Sequence, residues 1–198
     1  MTATTPPGRA WQRMLSGRRL DLLDPSPLDI EIEDIALGLS RLARWNGQTT
    51  GTHGLSVAQH SLLVLDIVEM AVDRPGRELR RAALLHDASE FVTADLITPF
   101  KRVIGDAYKG VETRIQAAVH LRFGLPARLR PEWTRAIKRA DTDAAFFEAV
   151  ELAGFTEADA RRIFRFRRPR RPGSLAPWPA EEARRRFLER FQALATEA

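Results

Sequence analysis

Leu84-Leu85-His86-Asp87-Ala88-Ser89-Glu90 carries the densest polar chemistry set in an apolar run of this chain. It sets an imidazole beside a carboxylate, with a second carboxylate one turn later. Residues three and four apart share one face of an α-helix. The spacing therefore predicts one helix from about Glu78 to Phe91, with Glu90 stacked over the His86–Asp87 edge. Ala82, Ala83, Leu84 and Leu85 before it, and Phe91 and Val92 after it, give the stretch apolar surroundings. Buried ionisable groups are costly unless they are paired or bind metal. The plain alternative is a helix turning a polar face to water, and the rest of the chain decides between the two.

Upstream, Ser56-Val57-Ala58-Gln59 has capping-box form, with Ser at the N-cap and Gln at the third helical position. His60 follows and heads an apolar stripe of Leu63, Val64, Ile67 and Val68, which Asp73-Arg74-Pro75-Gly76 ends. An earlier helix carries Ile32, Ile35, Ala36, Leu39, Leu42 and Ala43 at helical spacing. It should end near Arg44-Trp45, where Asn46-Gly47 stops it and a Gly/Thr-rich loop follows to Leu55. Downstream, residues 93–102 read as a loop or broken helix around Asp95 and Pro99. A helix over 106–123 turns Tyr108, Val111, Ile115, Ala118 and Val119 inward and stops at Gly124. Pro131 suits the first turn of another helix reaching about Leu152. There Asp141 stands on the stripe of Ile137, Ala144 and Ala145, with Lys138, Arg139 and Asp143 on other faces. A short helix over 156–164 and a last one over 180–195, with Phe187, Phe191 and Leu194 on one side, complete the chain. No β-pattern and no internal repeat emerges beyond a short extended piece at 19–23. The expectation is an all-α bundle of six or seven helices. Its divisions would be an irregular arm over 1–30, the main domain over 31–160, and an Arg-rich segment with a docking helix over 161–198.

With 198 residues, 44% hydrophobic and 29% charged, the chain can bury one sizeable core. It has no apolar run long enough for a transmembrane helix, no signal-peptide pattern, and no cysteine for disulfides or thiolate metal sites. A cytoplasmic protein with no membrane partner is the expectation. The net charge of +5 is uneven: residues 161–198 hold 11 Lys+Arg against 4 Asp+Glu, and residues 1–160 hold 20 against 22. The basic balance belongs to the tail, so it does not make the body a nucleic-acid binder.

Three predicted helices each present metal-competent side chains on an otherwise apolar face: His60, His86 with Asp87, and Asp141. Two imidazoles and two carboxylates suit one divalent Mn, Co, Ni, Fe or Mg ion better than a structural zinc. Four such ligands around an octahedral ion leave about two positions for water or substrate. Glu90 would then be free to move a proton.

The order His…His-Asp…Asp resembles the HD-domain metal-dependent phosphohydrolases, and within them the bacterial 5′-deoxynucleotidases and their prophage-encoded relatives. The resemblance covers roughly residues 30–150. It rests on Arg44-Trp45, Ser56-Val57-Ala58-Gln59-His60-Ser61, Leu85-His86-Asp87-Ala88-Ser89-Glu90, Ala94-Asp95-Leu96-Ile97-Thr98-Pro99 and Lys138-Arg139-Ala140-Asp141. It implies His60, His86, Asp87 and Asp141 as ligands of one divalent cation, and Glu90 as the general acid/base. It also implies that Arg44 pairs with substrate phosphate, a match for the guanidinium fork. Trp45 would pack on the sugar and help exclude a 2′-hydroxyl. Asp95, opening the stretch that ends at Thr98, would contact the sugar or assist the water, and Thr98 would join the substrate contacts. Where such proteins often carry glycine before this aspartate, Ala94 stands here.

The reaction implied is hydrolysis of a deoxyribonucleoside 5′-monophosphate to nucleoside and phosphate. A deoxynucleoside triphosphate triphosphohydrolase on the same site is the alternative, and a non-catalytic nucleic-acid-associated module is a further one. A di-iron oxygenase would need more ligands than the spare His53 and His120 offer, and both of these read as structural or surface residues. Lys101 reads as a solvated charge. The run Arg161–Arg171 holds seven arginines but few stacking aromatics, which argues against nucleic acid. The expected partners are a nucleotide substrate and, as in similar proteins, a second copy in a homodimer.

Overall fold

A computed structural model describes residues 10–164 and 173–196. Nine α-helices are present among them: α1 (Ile32–Arg41), α2 (Val57–Ala71), α3 (Arg77–Leu84), α4 (Glu90–Thr93), α5 (Thr98–Ile104), α6 (Asp106–Arg122), α7 (Pro131–Glu151), α8 (Glu157–Phe164) and α9 (Ala180–Thr196). The class is all-α, as the sequence indicates. The count exceeds six or seven because the expected helix over 78–91 divides into α3 and α4, and the broken stretch over 93–102 carries α5.

The bundle is built around α2. Almost every residue from Val57 to Val68 is buried, including Gln59, His60 and Ser61. A helix buried on all sides belongs at the centre of a bundle, and α1, α3, α7 and α9 surround it. Its start is fixed by Ser56, whose hydroxyl accepts from the Gln59 amide at 3.2 Å. Only half of the expected capping box forms. The Gln59 side chain instead donates to the Ala176 carbonyl and accepts from the Trp178 amide, at 2.8 and 2.9 Å. Those two bonds strap the segment before α9 across the start of α2. In α9, Ala183, Phe187 and Leu194 then bury their side chains in the common core.

Two expectations about helix limits need correction. The first helix ends at Arg41, and Arg44–Gly47 forms a separate 3-10 turn in which Trp45 and Asn46 take left-handed backbone angles, φ 57° and 51°. The predicted continuous helix over Glu78–Phe91 is broken. It stops at Leu84, and residues 85–89 wind through i→i+3 bonds such as Ala88 to Leu85 and Glu90 to Asp87 before α4 begins. Apolar periodicity does not separate that tighter winding from an α-helix.

The sequence also missed a small hairpin. β1 (Trp11–Arg13) pairs antiparallel with β2 (Arg19–Asp21), Gln12 facing Leu20. Met14, Leu20 and Ile30 are buried against the bundle, so residues 10–30 are structured rather than irregular. In the basic run, Arg161 and Arg162 belong to α8 and pair with Glu157 and Asp159. Residues 165–171 of that run lie outside the described residues.

Gly38 shows how tightly α1 meets α4. A Cβ there would stand 2.8 Å from the Phe91 Cβ and 3.1 Å from its Cα and carbonyl oxygen. In an open helix, Gly→Ala gains about 1 kcal/mol; here overpacking should outweigh it. Gly38→Ala is expected to destabilise the fold by about 1–2 kcal/mol in urea unfolding. Unchanged or increased stability would show that α1 and α4 can part.

Candidate metal centre

Three elements deliver the four side chains. His60 comes from the first turn of α2 and is fully buried. His86 and Asp87 come from the tight winding after α3, and Asp141 from the middle of α7. Adjacent residues of an α-helix point about 100° apart, so the break at Leu84 helps both His86 and Asp87 reach one point. Gln116 of α6 braces that winding, donating to the Leu85 carbonyl at 2.7 Å and accepting from the Ser89 amide at 2.9 Å.

The four groups converge. His60 Nε2 lies 3.5 Å from Asp87 Oδ2 and 3.4 Å from Asp141 Oδ1, and His86 Nε2 lies 3.1 Å from Asp87 Oδ2. The two imidazole centroids are 5.2 Å apart. One ligand atom each from His60, His86 and Asp141 falls within 4.8 Å of the others. Ligand atoms about 2.1 Å from an octahedral cation stand about 3 Å from their neighbours, which is close to the observed spacings.

The ring nitrogens support the same reading. His86 Nδ1 donates to the Ala83 carbonyl at 2.9 Å. His60 Nδ1 faces a carboxylate oxygen of Glu148 at 2.5 Å. In the neutral rings both Nε2 atoms therefore carry a lone pair toward the cluster, as metal ligation requires. Both Nε2 atoms are buried without a hydrogen-bond partner. Orphaned acceptors beside two carboxylates fit a divalent cation.

Around this cluster stand the other predicted residues. Arg44 Nη1 is 3.5 Å from Asp95 and 3.8 Å from Asp87, and its Nε donates to Glu148 at 2.8 Å. Trp45 Nε1 donates to the same Glu148 oxygen at 3.0 Å, and its ring meets Phe155. Glu90, at the start of α4, is buried, with Oε2 unpartnered and Oε1 3.5 Å from Lys101 Nζ. Burial, then the Asp87 and Asp95 charges, push its carboxyl up to about 9. A divalent charge held by the cluster would act in the opposite sense. Burial also raises Asp95, opposed by Arg44. Before Asp95, Ala94 takes φ 65° and ψ 158°, a region that glycine adopts more readily than alanine. Thr98 is exposed at the start of α5, and no hydrogen bond or ion pair joins it to the cluster.

Lys101 is not a solvated charge. It is half-buried, donates to Glu112 at 3.0 Å and lies beside the Tyr108 ring. Lys138, expected on another face, bonds Asp141 Oδ2 at 3.0 Å. His120 is structural: Nδ1 donates to the Ala127 carbonyl, and Nε2 lies 2.9 Å from Gln116. His53 is exposed. Sequence reasoning passed over Gln116 and Glu148. Glu148 left a signal, since it follows Asp141 by seven residues, two turns along one face, amid Phe146, Phe147 and Ala149. A groove of about 230 Å³ opens beside the cluster, lined by His86, Asp87, Lys138 and Asp141 among others.

A helical bundle that converges two imidazoles and two carboxylates in this order is of the HD-domain class. The chain belongs to the YfbR-like 5′-deoxynucleotidase family, whose model matches residues 37–158. It is 62% identical over 156 residues to an uncharacterised protein of Rhodobacter capsulatus, covering 79% of this chain and 80% of that one. It is 37% identical over 113 residues to the uncharacterised protein YfdR of Escherichia coli (strain K12), covering 57% of this chain and 56% of that one. Family membership supports a metal-dependent nucleotide phosphohydrolase in the broad sense. No helix among the described residues is long and apolar enough to cross a membrane.

Proposed function

We propose that this protein hydrolyses deoxyribonucleoside 5′-monophosphates to nucleoside and phosphate. The observation that carries the reading is the pair of buried, unpartnered Nε2 atoms converging with Asp87 and Asp141. His60, His86, Asp87 and Asp141 would hold one divalent cation, which when bound supplies Lewis-acid polarisation of a phosphoryl oxygen. Arg44 adds fixed positive charge beside the cluster, where phosphate oxygens gather charge as the ester bond breaks. Glu90 takes the proton of the attacking water. A proton returns to the departing 5′-oxygen, so the nucleoside leaves as an alcohol while the water oxygen stays on phosphorus. Asp95, close to Arg44, holds the guanidinium and accepts from the water or a sugar hydroxyl.

The deciding assay supplies metal-reconstituted protein with ribo- and deoxyribonucleoside mono- and triphosphates and measures phosphate and triphosphate separately. Phosphate release from deoxyribonucleoside monophosphates is the expected result. Triphosphate as the main product would transfer the same site to the alternative reaction, and no release from any nucleotide would overturn the reading. Trp45 makes the sugar side testable. Trp45→Ala should reduce the preference for deoxyribose over ribose, by up to about 100-fold, the scale on which an apolar wall rejects an added hydroxyl. An unchanged ratio of kcat/KM values would return Trp45 to packing.

A further inference from the structure

Glu148 is fully buried, and its two oxygens serve three side chains. One faces His60 Nδ1 at 2.5 Å; the other accepts from Arg44 Nε at 2.8 Å and Trp45 Nε1 at 3.0 Å. These partners come from α2 and from the Arg44–Gly47 turn, while Glu148 itself shares α7 with Asp141. We propose that Glu148 is a positioning residue that sets a metal ligand, the phosphate-facing cation and the sugar-facing indole from one carboxylate, so that the metal and substrate sites assemble together. The substrate half of this inference rests on the function proposed above; the metal half rests only on the cluster.

Donors and acceptors around Glu148 are fixed by their chemistry. A carboxylate has no proton to give, so His60 must donate from Nδ1 and keep its Nε2 lone pair toward Asp87 and Asp141. Such carboxylate–histidine pairs fix the ring's tautomer and orientation, and losing them typically weakens metal binding by about 10–100-fold. The second oxygen holds Trp45, whose backbone sits at φ 57° and ψ 27°. A non-glycine residue is strained there and persists only when its surroundings impose it. The Trp45–Glu148 bond is one such constraint. A buried charge is poor evidence of a merely stabilising role, because desolvation offsets much of the attraction.

Glu148→Gln has nearly the same shape, which separates positioning from packing. Its amide oxygen can keep both Arg44 and Trp45. The NH2 group then faces His60 Nδ1, which must become the acceptor. The ring proton moves to Nε2 and blocks ligation. Turning the amide the other way would set NH2 against two donors instead.

The test titrates Mn2+ into full-length protein and the E148Q variant, with circular dichroism and thermal unfolding as fold controls. Mn2+ affinity should fall about 10–100-fold in E148Q while the helical signal persists. At saturating Mn2+, E148A should raise KM for a deoxyribonucleoside monophosphate about tenfold above that of E148Q, which retains the oxygen for Arg44 and Trp45. Equal Mn2+ affinity in E148Q and the unmodified protein would overturn the metal half, and equal KM values would overturn the substrate half. An unmodified protein that binds no Mn2+ would overturn the metal centre and this inference with it. Should a variant fail to fold, 15N-histidine spectra of the unmodified protein loaded with Zn2+ still decide. His60 protonated at Nδ1 supports the assignment; His60 protonated at Nε2 overturns it.

Discussion

Asp141→Ala is expected to remove the divalent cation and the hydrolytic activity together. Asp141 brings a carboxylate 3.4 Å from His60 Nε2, and no other residue of α7 is shown against that nitrogen. Without it the set falls to His60, His86 and Asp87, and metal affinity should fall by more than the roughly 100-fold limit typical of an outer-sphere change. The fold should survive. Alanine is the better helix former by about half a kcal/mol, and the lost Lys138 pair joins a mostly exposed lysine, worth little. Asp87→Ala should behave alike, since its carboxylate lies beside both imidazoles. Elemental analysis after chelation and reloading, run beside thermal unfolding, reads the outcome. Full metal content in both variants would rule out these four residues as one centre.

Glu90→Gln should separate binding from turnover. The change keeps shape and removes only the ability to take a proton. Glu90 lies in the cluster's surroundings without belonging to the converging set, with one carboxylate oxygen buried and unpartnered. Metal content and KM should stay within about threefold, while kcat falls by about 10²–10⁴-fold, the usual contribution of a positioned acid or base. Full turnover would remove Glu90 from the chemistry. Lost metal together with lost turnover would make it a ligand instead.

The contrast between these two variants follows from how the site is distributed along the chain. His60 and Asp141 were legible because each interrupts an apolar stripe, and α2 and α7 place them as the periodicity indicates; His86-Asp87 was legible as a pair in apolar surroundings, but not the backbone that carries it. The winding after Leu84 was not legible. Leucines and alanines satisfy i→i+3 and i→i+4 bonding alike, and the side chain that braces the bend, Gln116, lies 31 residues beyond Leu85. The left-handed turn at Trp45-Asn46 escaped for a similar reason: Glu148, 103 residues away, fastens the indole. Lys101 looks solvated in sequence because Glu112 and Tyr108, which cover it, belong to the following helix. Hairpin β1–β2 carries three residues per strand, too few for an alternation to register. What sequence leaves out is the set of long-range polar contacts, which have no period.

The most direct measurement is anomalous diffraction from crystals loaded with Mn2+. One strong peak should lie about 2.0–2.3 Å from His60 Nε2, His86 Nε2 and an oxygen each of Asp87 and Asp141. A peak elsewhere, or one that leaves any of these four residues outside bonding distance, would contradict the account.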